Sequence, residues 1–408
     1  MSVRARLLFV SRLVSFLGVA SLLLTGCWDS RELNQLGFTA ATAIDYKEGR
    51  WDFSYQIVVP SAISPISVSG ASKLPVTVYS TQGKTIREAT WRTALESSRN
   101  PYFPHNRVII VSSAAARQGL STLIDVYLRS TESRETVSVL ITDGDARQVL
   151  NQLMQLQIIP GDGIEEMISE EAKALSSLPN VKMYDLALEL LGTAKSAVLP
   201  EIVVTGPPGV TNPDELSRTN LSSQIKLGRL AVLHQDKLVG WVAQQDALGV
   251  SFIRNKVHSA VFPFKCEERS RDIDSAFRIT HTKTRLTPHK KGEHFIIEIE
   301  VKGKGELMET NCPVDLNEPN TIRMMEEQLE KEIVDKIQNS WVAVKKLKTD
   351  VVGFADLIHR KYPKEWKRIG PEWQTEFLQT EIRPKAEITI KRVGLIGKSF
   401  KLQSEKDG

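Results

Sequence analysis

Leu22-Leu-Leu-Thr-Gly-Cys27-Trp-Asp-Ser-Arg-Glu-Leu-Asn34 divides the chain into two parts of different character. Before Cys27 lies a basic, then apolar leader: Arg4, Arg6 and Arg12, with an apolar run from Leu13 to Leu24. That run is too short to cross a bilayer, which takes about 20 apolar residues, and its layout is that of a secretory signal. After Cys27 no second apolar stretch of spanning length occurs, and the residues follow the periodicities of a globular protein. The end of the leader therefore sets where the fold begins.

An ordinary signal ends in a small-x-small cleavage site, and Leu24-Thr25-Gly26 puts a large residue at the wrong place. Leu-Thr-Gly-Cys instead matches the bacterial lipoprotein box. There the Cys27 thiol takes a diacylglyceryl group and the leader is cut between Gly26 and Cys27; a cysteine is required because a thiolate is the group that attacks readily. Cleavage after Gly18-Val19-Ala20 is the rival reading. It leaves a short apolar core before the cut and an apolar Leu22–Leu24 stub after it. Two acyl chains suffice for stable anchoring, each buried methylene adding about 0.8 kcal/mol. The expectation is a globule tethered to the outer face of the cytoplasmic membrane.

The chain has 408 residues, long for one core, so two or three domains are expected. Apolar residues make up 41% and charged residues 25%, the balance of a folded rather than a disordered chain. Of the net charge of +4, the leader's three arginines account for three, and nothing in the remainder points to nucleic acid. With Cys27 lipidated, Cys266 and Cys312 remain. Two readings stay open for them: an extracytoplasmic disulfide, or two buried thiols acting as small apolar groups.

Leu36–Tyr46 and Trp51–Val59, split by Lys47-Glu-Gly-Arg50, read as a hairpin with a four-residue loop, and Pro60–Lys73 as an exposed loop. Val76–Ser80 is a short strand, and Thr85 caps a helix running to Ser98. Beyond Arg99-Asn-Pro-Tyr-Phe-Pro-His-Asn106 come a strand at Arg107–Ser112, one helix over Ala114–Arg129, a strand at Thr136–Thr142 and a helix at Ala146–Leu156. This order predicts a mixed sheet covered by helices. Further helices are expected at Ile164–Leu175 and Met183–Leu191, and a strand at Glu201–Thr205.

Gly206-Pro-Pro-Gly-Val-Thr-Asn-Pro-Asp214 is the clearest break in composition. It suggests a leader at 1–26, a first region at 27–205, a linker at 206–225, a second domain at 226–395 and a tail at 396–408. In the second domain Gly228–His234 and Lys237–Val242 form a hairpin. Strands follow at Val257–Phe264, Phe277–Leu286 and His294–Val301, the last two meeting at Pro288–Gly292. Thr321–Lys348 is the longest helical pattern, capped by Asn320 or Thr321. Val352–Arg360 and Lys364–Leu378 read as short helices and Lys385–Arg392 as a late strand.

The candidate chemical sites are weak. Gly394-Leu-Ile-Gly-Lys-Ser399 ends like a phosphate-binding loop, but Arg392 stands where that loop needs its first glycine. His281, His289 and His294 have no acid partners at a zinc-like spacing. Gly206-Pro-Pro-Gly209 lacks the dinucleotide-binding order, no Gly-x-Ser-x-Gly elbow occurs, and Asp272 with Asp274 is too isolated for paired-carboxylate work. Tyr362, Trp366, Trp373 and Phe377 fit a core at helical spacing better than a ligand-stacking surface. The Lys345–Lys348 and Lys364–Arg368 runs read as solvated faces. No catalytic residue, cofactor or metal is assigned.

Taken in order, these residues resemble the Ger(x)C lipoproteins, the C subunits of bacterial spore germinant receptors. The likeness begins at Cys27-Trp-Asp-Ser-Arg-Glu-Leu-Asn34 and continues through Pro104-His-Asn-Arg-Val-Ile-Ile110, Ala116-Arg-Gln-Gly-Leu120, Leu123-Ile-Asp125 and Arg129. It resumes at Gly228-Arg-Leu-Ala-Val232 and Asp236-Lys-Leu-Val-Gly-Trp241, then at Asp350-Val-Val-Gly-Phe354, Tyr362-Pro-Lys-Glu-Trp366, Trp373 and Phe377. Val111-Ser-Ser-Ala114 and Ser130 depart from the family pattern. The resemblance implies an α+β fold of three domains, each a mixed or antiparallel sheet covered by helices, and no enzymatic activity. It implies assembly with membrane A and B subunits at the spore inner membrane. Cys27 is then the lipidation site, and Trp28, Asp29, Arg31 and Glu32 are candidates for partner or headgroup contact, a local cap and salt-bridge arrangement being the alternative. The competing functional reading is a solute-binding lipoprotein of a transporter, which needs two similar lobes around a cleft; the two halves show no such similarity. Whether the chain binds a small molecule directly stays open.

Overall fold

The computed structural model describes residues 9, 11–16, 18, 32–63, 74–207, 210–267 and 273–404. A 3-10 turn, Leu33–Gln35, leads into β1 (Leu36–Lys47), which folds back as β2 (Arg50–Val58). The loop has two residues rather than the expected four, because Lys47 pairs with Arg50; Glu48 and Gly49 make the turn with φ of 50° and 76°, both left-handed, as a two-residue loop demands. A helical turn, α1 (Pro60–Ile63), opens the segment expected as loop, and 64–73 lies outside the described residues. β3 (Val76–Gly83) returns beside β2. Thr85 caps α2 (Ile86–Arg92), its Oγ1 accepting from the Glu88 backbone N–H at 3.1 Å, as its sequence position predicts.

A short β4 (Asn100–Tyr102) precedes β5 (Val108–Ser112), α3 (Ser113–Gln118), α4 (Ser121–Arg129), β6 (Ser138–Thr142), α5 (Ala146–Asn151), α6 (Pro160–Ala174) and α7 (Met183–Leu191). β1, β5 and β6 run parallel, and every residue of β5 and β6 is buried. Burial on both faces is what a parallel sheet sandwiched by helices requires, so these strands read as unbroken apolar runs. β7 (Ser196–Thr205), β8 (Gln224–His234) and β9 (Lys237–Val242) form an antiparallel meander. The whole is a nine-stranded sheet ordered β3-β2-β1-β5-β6-β7-β8-β9, with β4 on the start of β1. Its middle is thin: β6 meets β7 at one residue pair, Ile141↔Glu201.

Several expectations needed correction here. The single helix over Ala114–Arg129 is two helices, broken at Gly119 with φ +125°. β7 begins five residues before the expected strand at Glu201. The chain leaves the sheet after Thr205 and returns opposite it at Gln224, so the strands flanking the compositional break are neighbours in one ladder. No helix was expected after β9, yet α8 (Gln244–Ile253) is there with Ala247 and Val250–Ile253 buried. A helix buried almost all round carries no amphipathic period to read.

The second sheet runs β10 (Ala260–Phe264), β11 (Ser275–Lys291), β12 (His294–Thr310), β13 (Glu381–Arg392). β11 and β12 extend beyond their expected ends, and the turn falls at Gly292 and Glu293 rather than over Pro288–Gly292. Pro288 is tolerated because β10 pairs β11 only as far as Ile279, leaving the later part of β11 bonded on one side. α9 (Pro319–Lys346) follows Glu318 as N-cap, not Asn320 or Thr321, with Pro319 at its first turn. It buries Met325, Leu329, Ile333, Ile337 and Trp341 against this sheet. Glu330 and Glu326 of α9 accept from the Ile388 and Ile390 N–H groups, covering part of the β13 edge. α10 (Phe354–Lys361), α11 (Pro363–Ile369), α12 (Trp373–Gln379) and α13 (Phe400–Ser404) complete the chain.

Candidate functional site

Cys27, Trp28, Asp29 and Arg31 lie outside the described residues. Glu32 is described and exposed, its carboxylate accepting from Asn34 Nδ2 at 3.0 Å just before β1. Leu33 and Asn34 line a groove of about 580 Å³ with Phe38, Val58, Tyr79 and Arg99. A neighbouring groove of about 530 Å³ holds Phe38, Val58, Pro60, Ile63 and Ile159. Leu33 and Asn34 thus stand at one end of the nine-stranded sheet, among apolar groups.

Glu201 on β7 is a carboxylate with a side chain 2% exposed. It accepts from Arg229 Nε at 2.9 Å, from Arg229 Nη2 at 2.5 Å and from the Arg229 backbone N–H at 2.7 Å. Arg229 Nη2 also reaches Asp143, just past β6, at 3.0 Å, and the guanidinium lies 4.2 Å from the centre of the Trp241 ring on β9. Gly228 is needed for this approach, since a Cβ there falls 2.5 Å from Glu201 Oε2. Hydrogen bonding to Glu201 raises the Arg229 pKa, and Arg229 holds the Asp143 carboxyl low. Four elements are clasped by one side chain where the sheet is joined by a single pair.

The second buried carboxylate is Asp350. Its Oδ1 accepts from the backbone N–H groups of Val352, Gly353 and Phe354, and its Oδ2 from Ala355 N–H at 2.6 Å and Trp373 Nε1 at 3.1 Å. Burial pushes this carboxyl up while the backbone donors pull it back. The same segment docks the first sheet on the second. Ser196 Oγ donates to the Asp350 carbonyl, and Thr193 N–H donates to Asp356 at 3.2 Å. Arg254 pairs with Glu189 across the same junction.

Asp45, at the end of β1, is the third. It accepts from the Ala146 and Arg147 N–H groups at 3.0 and 3.2 Å, capping α5 from another element. Burial pushes it up to about 6. Glu201 and Asp45 escape sequence reasoning, yet a signal exists: each is an acid inside an apolar strand, as in Val198-Leu-Pro-Glu201-Ile-Val-Val204. Arg229, Trp241 and Asp350 stand inside the blocks that carry the resemblance.

The other candidate residues are dispersed. His281 Nδ1 contacts Thr280, His289 faces Glu298 and His294 faces Glu376, so the three histidines keep separate partners. Trp373 and Phe377 are buried and Trp366 half-buried, in a chain of ring contacts from Trp366 to Trp373, from Trp373 to Phe377, and from Phe377 to Trp341 and Phe354. Gly397 and Ser399 bond back to Leu316 and Val314, so this stretch docks on the start of α9 rather than hanging free. Among the described residues, Cys266, Asp274 and Cys312 form the one group whose ligand atoms gather. The two sulfurs are bonded to each other as a disulfide, which removes the thiolates a metal needs. No helix among the described residues is long and apolar enough to cross a membrane.

Residues 29–204 match the family described as spore germination protein N-terminal domain, and residues 228–394 the one described as spore germination B3/GerAC-like, C-terminal. Spore germination protein KC of Bacillus subtilis is 27% identical, covering 99% of this chain and all of that one. Spore germination protein B3 of the same organism is 24% identical, over 92% of this chain and 96% of its own. GerQC of Bacillus cereus is 21% identical, over 95% and 99%. The crystal structure of the GerBC protein superposes with a TM-score of 0.51 at 16% identity, over 86% of this chain and 97% of that one. At that identity the likeness concerns the fold.

Proposed function

The chain belongs to the Ger(x)C family of spore germination proteins, and from that premise we propose that it is the lipid-anchored, non-enzymatic C subunit of a nutrient germinant receptor. The observation that carries this is the ordered pair of family matches running from 29 to 394, with relatives aligned over nearly their whole lengths. Cys27, acylated before the leader is cut away, confines the globule to the outer face of the spore inner membrane. Confinement to a plane raises its effective concentration for the membrane A and B subunits. Trp28, Asp29, Arg31 and Glu32 follow the anchor directly and contact those partners or the headgroups. The regions 27–205 and 226–395 ride on that tether together, since β8 and β9 of the second complete the sheet of the first.

Spores carrying Cys27→Ala test the reading. The variant is expected in the soluble fraction, with loss of the response to the receptor's nutrient and no co-purification of a permease-like partner. Membrane retention and a normal nutrient response in those spores would end it.

A further inference from the structure

We propose that the end of the nine-stranded sheet where β1 begins is a membrane-apposed face, with Leu33, Leu95, Leu156 and Ile158 seated at the headgroup–acyl boundary. The inference rests on the lipid-anchored reading above and adds an orientation to it. A tether alone leaves a globule free to roll, whereas a seated face holds one end down.

These four side chains are 73%, 84%, 94% and 60% exposed, although each is a large apolar group. They come from three separate segments that the topology brings to one place. β1 starts at this end, β2 finishes there and β3 starts there, since Thr39 pairs with Ile57 and Val58 with Val76. Leu33 shares its groove with Ser97–Arg99, and Leu95 stands two residues before Ser97. Leu156 and Ile158 immediately precede Ile159, which lines the adjoining groove with Phe38, Val58 and Pro60. Leu74, 40% exposed, joins the same end through the Val59 N–H bond to the Pro75 carbonyl.

The occupant follows from the tether. Cys27 is five residues before Glu32, and five residues reach at most about 18 Å even when fully extended. A lipid surface is therefore always within reach of Leu33, while any other partner must arrive by diffusion. Apolar side chains at such a boundary enter it by roughly 5–10 Å, a depth that isolated leucine and isoleucine side chains on loops can reach. A further exposed apolar row, Tyr184, Leu188 and Leu191 on α7, lies elsewhere: Thr193, just after it, bonds to Asp356 at the junction with the second sheet. It is no part of this face.

Single added cysteines read the orientation, because Cys266 and Cys312 are bonded to each other and an acylated Cys27 has no free thiol. The acylated full-length chain, bearing Leu95→Cys, Leu156→Cys, Leu191→Cys or Glu48→Cys, is labelled with an environment-sensitive fluorophore. It is then reconstituted in vesicles of phosphatidylethanolamine with a minority of phosphatidylglycerol. Glu48 sits at the far tip of the β1–β2 hairpin, twelve residues of strand or about 40 Å from the start of β1. Blue-shifted emission at 95 and 156, quenched several-fold by acyl-chain nitroxide lipids, with 48 and 191 unchanged, is the expected result. Equal, water-like emission at all four sites on vesicle-bound protein would overturn the seated face while leaving the anchor intact. Shielding of 95 and 156 that appears only with the A and B subunits present would also overturn it, by making the occupant a protein. Failure of the chain to float with vesicles, with an unmodified N-terminal cysteine by mass, would remove the anchor itself.

Discussion

Arg229 shows how much one side chain can be asked to hold. Glu201 is buried beside it, and removing the guanidinium leaves a buried carboxylate whose opposite charge is gone and whose remaining partner on this residue is the backbone N–H of residue 229. Arg229→Ala is expected to destabilise the chain by about 3 kcal/mol, read from the denaturant midpoint. Adding Glu201→Gln to that variant should recover a substantial part of the loss, since the uncompensated charge is gone. Two equal losses would show that packing against Trp241 matters more than the ion pair. Asp45 makes a different prediction. Its carboxyl is pushed up to about 6 in the folded chain from an ordinary 3.8, so folding favours its protonated form. The stability this gives is complete below about 3.8 and is lost as pH rises through about 6. Between pH 5 and pH 7.5 the folded chain should lose about 1.4 kcal/mol from this group. Asp45→Asn should flatten that difference in melting scans at the two pH values, and an unchanged pH slope would contradict the assignment.

At the scale of elements, the split between α3 and α4 is made by a contact rather than by propensity. Gly119 breaks the helix with φ +125°, and the freed N–H of Leu120 donates to the Asp236 carbonyl at 2.8 Å. Ser121 N–H donates to the Asp236 carboxylate at 3.1 Å, so the β8–β9 turn caps α4 from a distance of more than a hundred residues. A Cβ on residue 119 would fall 2.5 Å from Asp236 Oδ2 in a backbone conformation that side chains avoid. Gly119→Ala should therefore cost about 2 kcal/mol, with the β8–β9 turn losing hydrogen-exchange protection along with α4. A neutral result would mean that the two helices can merge into one. α8 was missed for a related reason. Gly249 lets it lie directly on α9, where a Cβ would be 2.0 Å from Ser340 Oγ, and the resulting burial on all sides erases the period that announces a surface helix.

For the whole molecule, the largest core spans both sheets, with Val198, Leu230, Val232 and Val242 of the first packed in one cluster with Phe262, Phe277 and Ile297 of the second, and the Asp350–Asp356 segment and the Glu189–Arg254 pair add polar links. The Cys266–Cys312 disulfide closes a 46-residue separation around β11 and β12. In the loop-entropy account that is worth at most about 4 kcal/mol. The Cys266→Ser, Cys312→Ser double variant should melt several degrees lower, with the second sheet affected first; no change in melting would show that the bridge is not formed in the native protein.

Strands β5 and β6 were readable because a fully buried strand is written as an apolar run. The β1–β2 hairpin was readable from the polar break at Lys47-Glu-Gly-Arg50, though not its two-residue turn, and α9 from a long apolar stripe. The Thr85 cap of α2 needed no more than local chemistry. Sequence alone therefore determined most of the element types, the mixed α/β class and the family, because these depend on patterns within a few tens of residues. Tertiary structure decided the rest: that β7–β9 join the first sheet through one residue pair, that Asp45 and Asp236 cap helices they are far from in sequence, and that Glu201 finds Arg229. Those outcomes depend on which surfaces meet, and the free energy of a buried carboxylate is set by donors that no local window contains.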